Sequence, residues 1–138
     1  MKVLVVEDDS SLATIIQIAL EENGYQVRTA RDGNEGYLTF LLFRPDVVVT
    51  DICMPFKDGF ELMAQIHAHH PQVKTIYLTA QADQYRTRLE KENRDYSVRV
   101  LEKPFSRAEL ARHIAALTKE LPAQPPRARK RVSFFHRS

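Results

Sequence analysis

Residues 47–60 read VVVTDICMPFKDGF. From Val47 to Thr50 every residue is apolar or β-branched, with no polar alternation. Such a run suits a strand buried on both faces, in the middle of a parallel sheet. Asp51 ends it. Met54-Pro55 and then Lys57-Asp58-Gly59 follow, and Pro and Gly so close together stop a strand and force a turn. A lone carboxylate is thereby expected at the carboxyl end of a central strand, where open α/β sheets hold their ligands. A strand-end Asp taken alone more often caps its loop, so the rest of the chain has to decide its role.

In chain order, Lys2–Val6 (KVLVV) is a second short apolar run, followed at once by Glu7-Asp8-Asp9. Ser10–Asn23 has helical spacing, with Leu12, Ile15, Ile16, Ala19 and Leu20 on one face. Asp9 or Ser10 can cap its start, and Gly24 stands where helices commonly end. Tyr25–Ala30 alternates and reads as an edge strand. Asn34–Phe43 reads as a helix with Tyr37, Leu38, Leu41 and Leu42 inward, and Phe60–His70 as another with Leu62, Met63 and Ile66 inward. A strand is expected within Val73–Thr79 and a charged, exposed helix over Ala82–Arg94. A short strand follows at Val98–Leu101. The last helix, Ser106–Glu120, opens on a capping box of Ser106 and Glu109.

Strand and helix alternate five times. That pattern predicts a doubly wound α/β fold, a five-stranded parallel sheet with helices on both faces, because parallel neighbours need right-handed crossovers. A chain of 138 residues suffices for one such domain and is short for two. We expect the domain over residues 1–120 and a Pro-rich linker with a basic, disordered tail over 121–138. From Pro122 onward the chain carries Arg127, Arg129, Lys130, Arg131 and Arg137 and no acid. Without those five, 15 basic residues face 18 acidic ones, so the net charge of +2 hides a mildly acidic body. An acidic body is not expected to bind nucleic acid. No apolar run approaches the roughly 20 residues of a membrane span, and no signal peptide opens the chain, so a cytoplasmic protein is expected. The single Cys53 excludes an internal disulfide and a cysteine zinc cluster.

Glu7 and Asp8 lie past the first strand and Asp51 at the end of the third. Clustered carboxylates repel one another and are costly to bury. A hard divalent cation removes that cost, and Mg²⁺ prefers a few carboxylates with waters and a phosphate. Thr79-Ala80 follows the fourth strand, and Lys103-Pro104 the fifth. Acids, hydroxyl and ammonium are expected at one edge of the sheet, a set suited to holding a phosphoryl group on a carboxylate.

Four motifs, VLVVEDD (Val3–Asp9), DICMPFKDG (Asp51–Gly59), LTA (Leu78–Ala80) and LEKPF (Leu101–Phe105), occur in the order and at the strand ends seen in one family. The chain resembles the receiver domain of bacterial two-component response regulators. The resemblance implies a flavodoxin-like sheet of strand order 2-1-3-4-5. It implies that Asp51 is the phospho-acceptor, served by a histidine kinase or phosphotransfer protein. It implies Mg²⁺ held by Asp8, Asp51 and the backbone carbonyl of Cys53, with Glu7 acting through bound water. Thr79, the Ala80 amide and Lys103 are then the phosphoryl-binding and switch residues, and Pro104 follows a cis peptide. Such a domain is a switch rather than an enzyme, and signals through a downstream protein partner, an output domain or a homodimer.

One departure stands out. Many receivers carry an aromatic three residues before the lysine, and here that place holds Val100. The activation change is accordingly expected in residues 80–96. The competing readings are a pseudo-receiver that binds partners without phosphorylation, an Asp-nucleophile phosphatase and a flavodoxin-like cofactor carrier. The phosphatase needs a carboxylate two residues after the nucleophile, where Cys53 stands. The carrier needs a Gly/Ser/Thr-rich loop where Glu7-Asp8-Asp9 stands. His67, His69 and His70 are expected at the surface.

Overall fold

The computed structural model describes residues 1–118. The expected linker and tail lie outside the described residues, as do positions 119 and 120 of the helix expected over Ser106–Glu120. Five strands form one parallel sheet: β1 (Lys2–Val6), β2 (Gln26–Ala30), β3 (Val47–Asp51), β4 (Lys74–Thr79) and β5 (Val98–Glu102). Their order is β2-β1-β3-β4-β5, as expected, so the chain reverses direction across the sheet between β1 and β3. Helices α1 (Ser10–Glu22), α2 (Gly33–Phe43), α3 (Gly59–His67), α4 (Arg86–Asp95) and α5 (Arg107–Thr118) connect or follow the strands. A 3₁₀ turn, Ala82–Tyr85, precedes α4 and divides the segment read as one helix.

The core has two layers. On one face Ile16, Ala19 and Leu20 of α1 and Leu110, Ile114 and Leu117 of α5 pack on Val3, Val5, Val49 and Ile76. On the other, Phe40 of α2, Leu62, Met63 and Ile66 of α3 and Leu89 of α4 pack on Leu4, Val6, Val48 and Tyr77. β3 lies between, and Val47, Val48 and Val49 are wholly buried. Each contributes about 1.5–3 kcal/mol of burial.

The capping residues act as expected. The Asp9 side chain accepts from the Ser11 and Leu12 amides, and Ser106 and Glu109 exchange reciprocal bonds of 3.0 and 2.8 Å. Asp58 and Glu61 form a second capping box at α3. Gly24 adopts φ +91°, which ends α1 where glycine alone is unstrained.

Three packing expectations need correction. In α2 the buried stripe is Gly33, Gly36 and Phe40, while Leu38, Leu41 and Leu42 are exposed. A Cβ on Gly36 would stand 3.1 Å from Val6, so the helix approaches β1 through its glycines. Ile15 of α1 is exposed, and Ala13 takes the inward place. His67 is buried rather than superficial: its ring stacks on Tyr96 with centroids 3.8 Å apart, and Nε2 lies 3.1 Å from the Val73 carbonyl.

Candidate functional site

The carboxyl ends of β1, β3, β4 and β5 bring together the residues singled out by sequence. Glu7 follows β1, held by its amide on the Ala30 carbonyl at 3.0 Å. Its side chain turns inward and is buried, whereas Asp8 is exposed. Asp51, the last residue of β3, is 3% exposed. One carboxylate oxygen from each of Glu7, Asp8 and Asp51 falls within a 4.8 Å cluster. From the far edge, Lys103 extends its ammonium to 2.7 Å from Asp51 Oδ1 and 3.2 Å from Glu7 Oε1. The Lys103 amide donates to the Thr79 carbonyl at 2.8 Å, which ties β5 to β4 beside the site. The Lys103–Pro104 peptide is cis.

Charge is unbalanced here. Two buried carboxylates share one ammonium. The contact from Lys103 to Asp51 Oδ1 has ion-pair distance but not hydrogen-bond angles, so that buried oxygen has no hydrogen-bond partner. Burial, together with the neighbouring Glu7 carboxyl, pushes the Asp51 carboxyl up to about 8, against the opposing pull of Lys103. Burial lowers the Lys103 ammonium, but its contacts with Asp51 and Glu7 outweigh this and the net shift is upward. Hard oxygen donors, an excess of buried negative charge and one orphaned carboxylate oxygen fit a small divalent cation such as Mg²⁺.

Backbone geometry around Asp51 depends on glycine. A Cβ on Gly59 would stand 2.2 Å from the Asp51 carbonyl oxygen, so no side chain fits where α3 begins against the strand end. The Gly59 amide donates to the Ile52 carbonyl at 2.8 Å and closes the loop. Thr79 is nearly buried at the end of β4, and its hydroxyl accepts from the Gln81 amide at 2.9 Å. Ala80 follows it and is exposed.

Cys53 lies in the loop after β3. It is exposed, and its Sγ lies 2.9 Å from the Tyr85 hydroxyl, bridging the loops after β3 and β4. Periodicity places Tyr85 on a helix face and carries no signal of this contact.

A parallel sheet of order β2-β1-β3-β4-β5 with a carboxylate cluster and a lysine at the carboxyl ends of its strands places the chain among the flavodoxin-like doubly wound α/β proteins. Comparison with known proteins narrows the class. Residues 3–115 match the family model of the response regulator receiver domain, and the chain belongs to that family. The alkaline phosphatase synthesis transcriptional regulatory protein PhoP of Bacillus subtilis is 34% identical over 118 residues, covering 84% of this chain and 48% of its own. The receiver domain of the Francisella response regulator 1452 superposes with a TM-score of 0.77 at 31% identity, covering 88% of this chain and 98% of that one. The receiver domain of a sensor histidine kinase from Pseudomonas aeruginosa gives 0.72 at 32% identity, covering 83% and 94%. That structure holds a magnesium ion coordinated in its active-site cleft. The chain spans about half or less of the length of the first curated relatives. Receiver domains are signalling switches of two-component systems rather than classical enzymes.

Proposed function

We propose that this chain is a phosphorylation-controlled switch in which Asp51 accepts a phosphoryl group from a histidine kinase or phosphotransfer protein. The observation that carries the reading is the set of Glu7, Asp8, Asp51 and Lys103 at one sheet edge. An Asp51 carboxylate oxygen attacks the phosphorus of a phosphohistidine. The O–P bond forms as the N–P bond breaks, and the electron pair stays on the imidazole nitrogen, which takes up a proton.

Asp8 and Asp51 with the Cys53 carbonyl would hold Mg²⁺, and Glu7 would act on it through water. The ion, when bound, supplies positive charge against the crowded oxygens. Lys103, the Thr79 hydroxyl and the Ala80 amide bind the phosphoryl oxygens and favour the charge that develops in transfer. Attack by water on the phosphorus later breaks the O–P bond, releasing inorganic phosphate and returning the free Asp51 carboxylate. The downstream partner is a separate protein, an output domain or a second copy of the chain. PhoP of Bacillus subtilis is a transcriptional regulatory protein, which supports an output in transcription.

The test is incubation with acetyl phosphate and Mg²⁺ followed by intact-mass analysis. One added phosphoryl group in the wild type and none in Asp51→Asn is expected. Equal modification of both overturns the assignment. A folded wild type that stays unmodified is a pseudo-receiver.

A further inference from the structure

Under α4 lies a polar cluster that the acceptor site does not use. Tyr77 of β4 is wholly buried, and its ring packs on Phe60 with centroids 4.9 Å apart. Its hydroxyl donates to Glu92 Oε1 at 2.6 Å. The other Glu92 oxygen, Oε2, lies 3.3 Å from Arg88 Nε, one helical turn earlier. The Arg88 guanidinium in turn covers the Phe60 ring, 4.4 Å from its centroid. The Glu92 side chain is 11% exposed. A carboxylate so placed is tolerable only with its partners, because desolvating an unpaired charge is costly. Burial holds the phenol of Tyr77 protonated far above its ordinary range, so it serves as the donor.

Besides this cluster, α4 is held by an Asn93 side chain that accepts from the Val98 amide at 3.4 Å and by its flanking residues, Tyr85 against Phe60 and Tyr96 stacked on His67. The α4 sequence, RTRLEKENRD, contributes one buried apolar residue, Leu89, and no side chain caps its start. A polar helix of ten residues is not stable on its own, so its docking must come from tertiary contacts. At the other end of the cluster, Tyr77 and Thr79 are two positions apart on β4, on the same side of the strand. Across the sheet Tyr77 is in register with Val100 of β5, which packs against the core layer that contains Tyr77.

We infer that the Tyr77–Glu92 pair, braced by Arg88, is the latch that sets the docking of α4 and ties that helix through β4 to Thr79 at the acceptor site. The tie to Thr79 rests on the phosphoacceptor reading; the latch itself does not. A shift of β4 at Thr79 carries the phenol with it. A bond of 2.6 Å to a charged acceptor is sensitive to such a shift. The state of Asp51 is thereby read out as the position of the α4 surface.

Hydrogen exchange on the full chain tests both halves, using wild type, Tyr77→Phe, Glu92→Ala and Glu92→Gln. Without any phosphodonor, amides of Arg86–Asp95 should exchange about tenfold faster in Tyr77→Phe and Glu92→Ala. Those of β1 and β3 should be unchanged. Glu92→Gln keeps an acceptor for Tyr77 and should fall between. Unchanged exchange in α4 overturns the latch. So does an equal rise in β1 and β3, which reports a general loss of packing. With acetyl phosphate and Mg²⁺, α4 protection should change in wild type and not in Tyr77→Phe, with Asp51 modified in both. An identical response in the two, or silence in wild type, overturns the tie. If Asp51 takes no phosphoryl group, the acceptor reading and the tie fall together, and the latch stands or falls by the first comparison.

Discussion

The Lys103 ammonium lies 2.7 Å from Asp51 Oδ1 while also contacting Glu7, so a single cation serves two buried carboxylates. With Asp51 ionised, the site is one positive charge short of balance before the exposed Asp8 is counted, which is why burial beside Glu7 pushes the Asp51 carboxyl up to about 8. Most of its expected behaviour follows from that deficit.

Replacing Asp51 by Asn leaves Lys103 paired with Glu7 and removes a buried acid that must either carry an uncompensated charge or hold a proton far above its ordinary range. In metal-free buffer, Asp51→Asn should be more stable than wild type by roughly 1–3 kcal/mol in urea denaturation. Mg²⁺ should raise the stability of wild type by mass action and have little effect on the variant. A variant less stable than wild type without metal would show that Asp51 is already compensated.

Asp8 and Lys103 should separate metal binding from charge compensation. Asp8 is exposed, so Asp8→Ala should change metal-free stability by less than about 0.5 kcal/mol. It should weaken Mg²⁺ binding about tenfold or more in calorimetric titration, through loss of an anionic ligand. Lys103→Ala strips the cation from two buried acids and should destabilise the metal-free protein by about 1–3 kcal/mol. Mg²⁺ should restore more stability to it than to wild type. Tight Mg²⁺ binding by Asp8→Ala would remove that residue from the ligand set.

Gly59→Ala should be costly for a reason of space. The added methyl would overlap the Asp51 carbonyl at 2.2 Å, and a backbone atom cannot swing aside as a flexible side chain can. A loss of about 1–3 kcal/mol or more is expected, with slower modification of Asp51 by acetyl phosphate. A thermal melt matching wild type would show that the loop relaxes freely.

His67 supplies a pH dependence. Burial against Tyr96 lowers its pKa below 6.5, with the Val73 carbonyl opposing. The folded state therefore keeps a neutral ring where the unfolded chain has already bound a proton. The stabilisation is complete above about pH 6.5 and is lost as pH falls through the window below it. Denaturation at pH 7.5 and pH 5 should show a smaller difference for His67→Phe than for wild type. Equal differences would mean that His67 does not titrate on unfolding in this range.

Local chemistry was readable wherever one residue type answers a local need. The unbroken apolar run of β3 requires burial on both faces, the Asp9, Ser106 and Glu109 side chains serve free helix amides, and Gly24 supplies a positive φ. The strand ends, and with them Glu7, Asp8, Asp51, Thr79 and Lys103, followed from the alternation of elements. The inward face of α2 did not. GNEGYLTFLLF is apolar on several sides, and only the close approach of its glycines to Val6 selects the stripe that is buried. His67 on Tyr96, Tyr77 on Glu92 and Cys53 on Tyr85 are likewise meetings of distant segments. Periodicity, capping and turn formation act over a few residues, so the elements, their alternation and the chemical set at the sheet edge are legible in the chain alone. Which side of α2 is buried, the stacking of His67 on Tyr96 and the meeting of Tyr77 with Glu92 arise only on packing, because each depends on the space that separate segments leave one another.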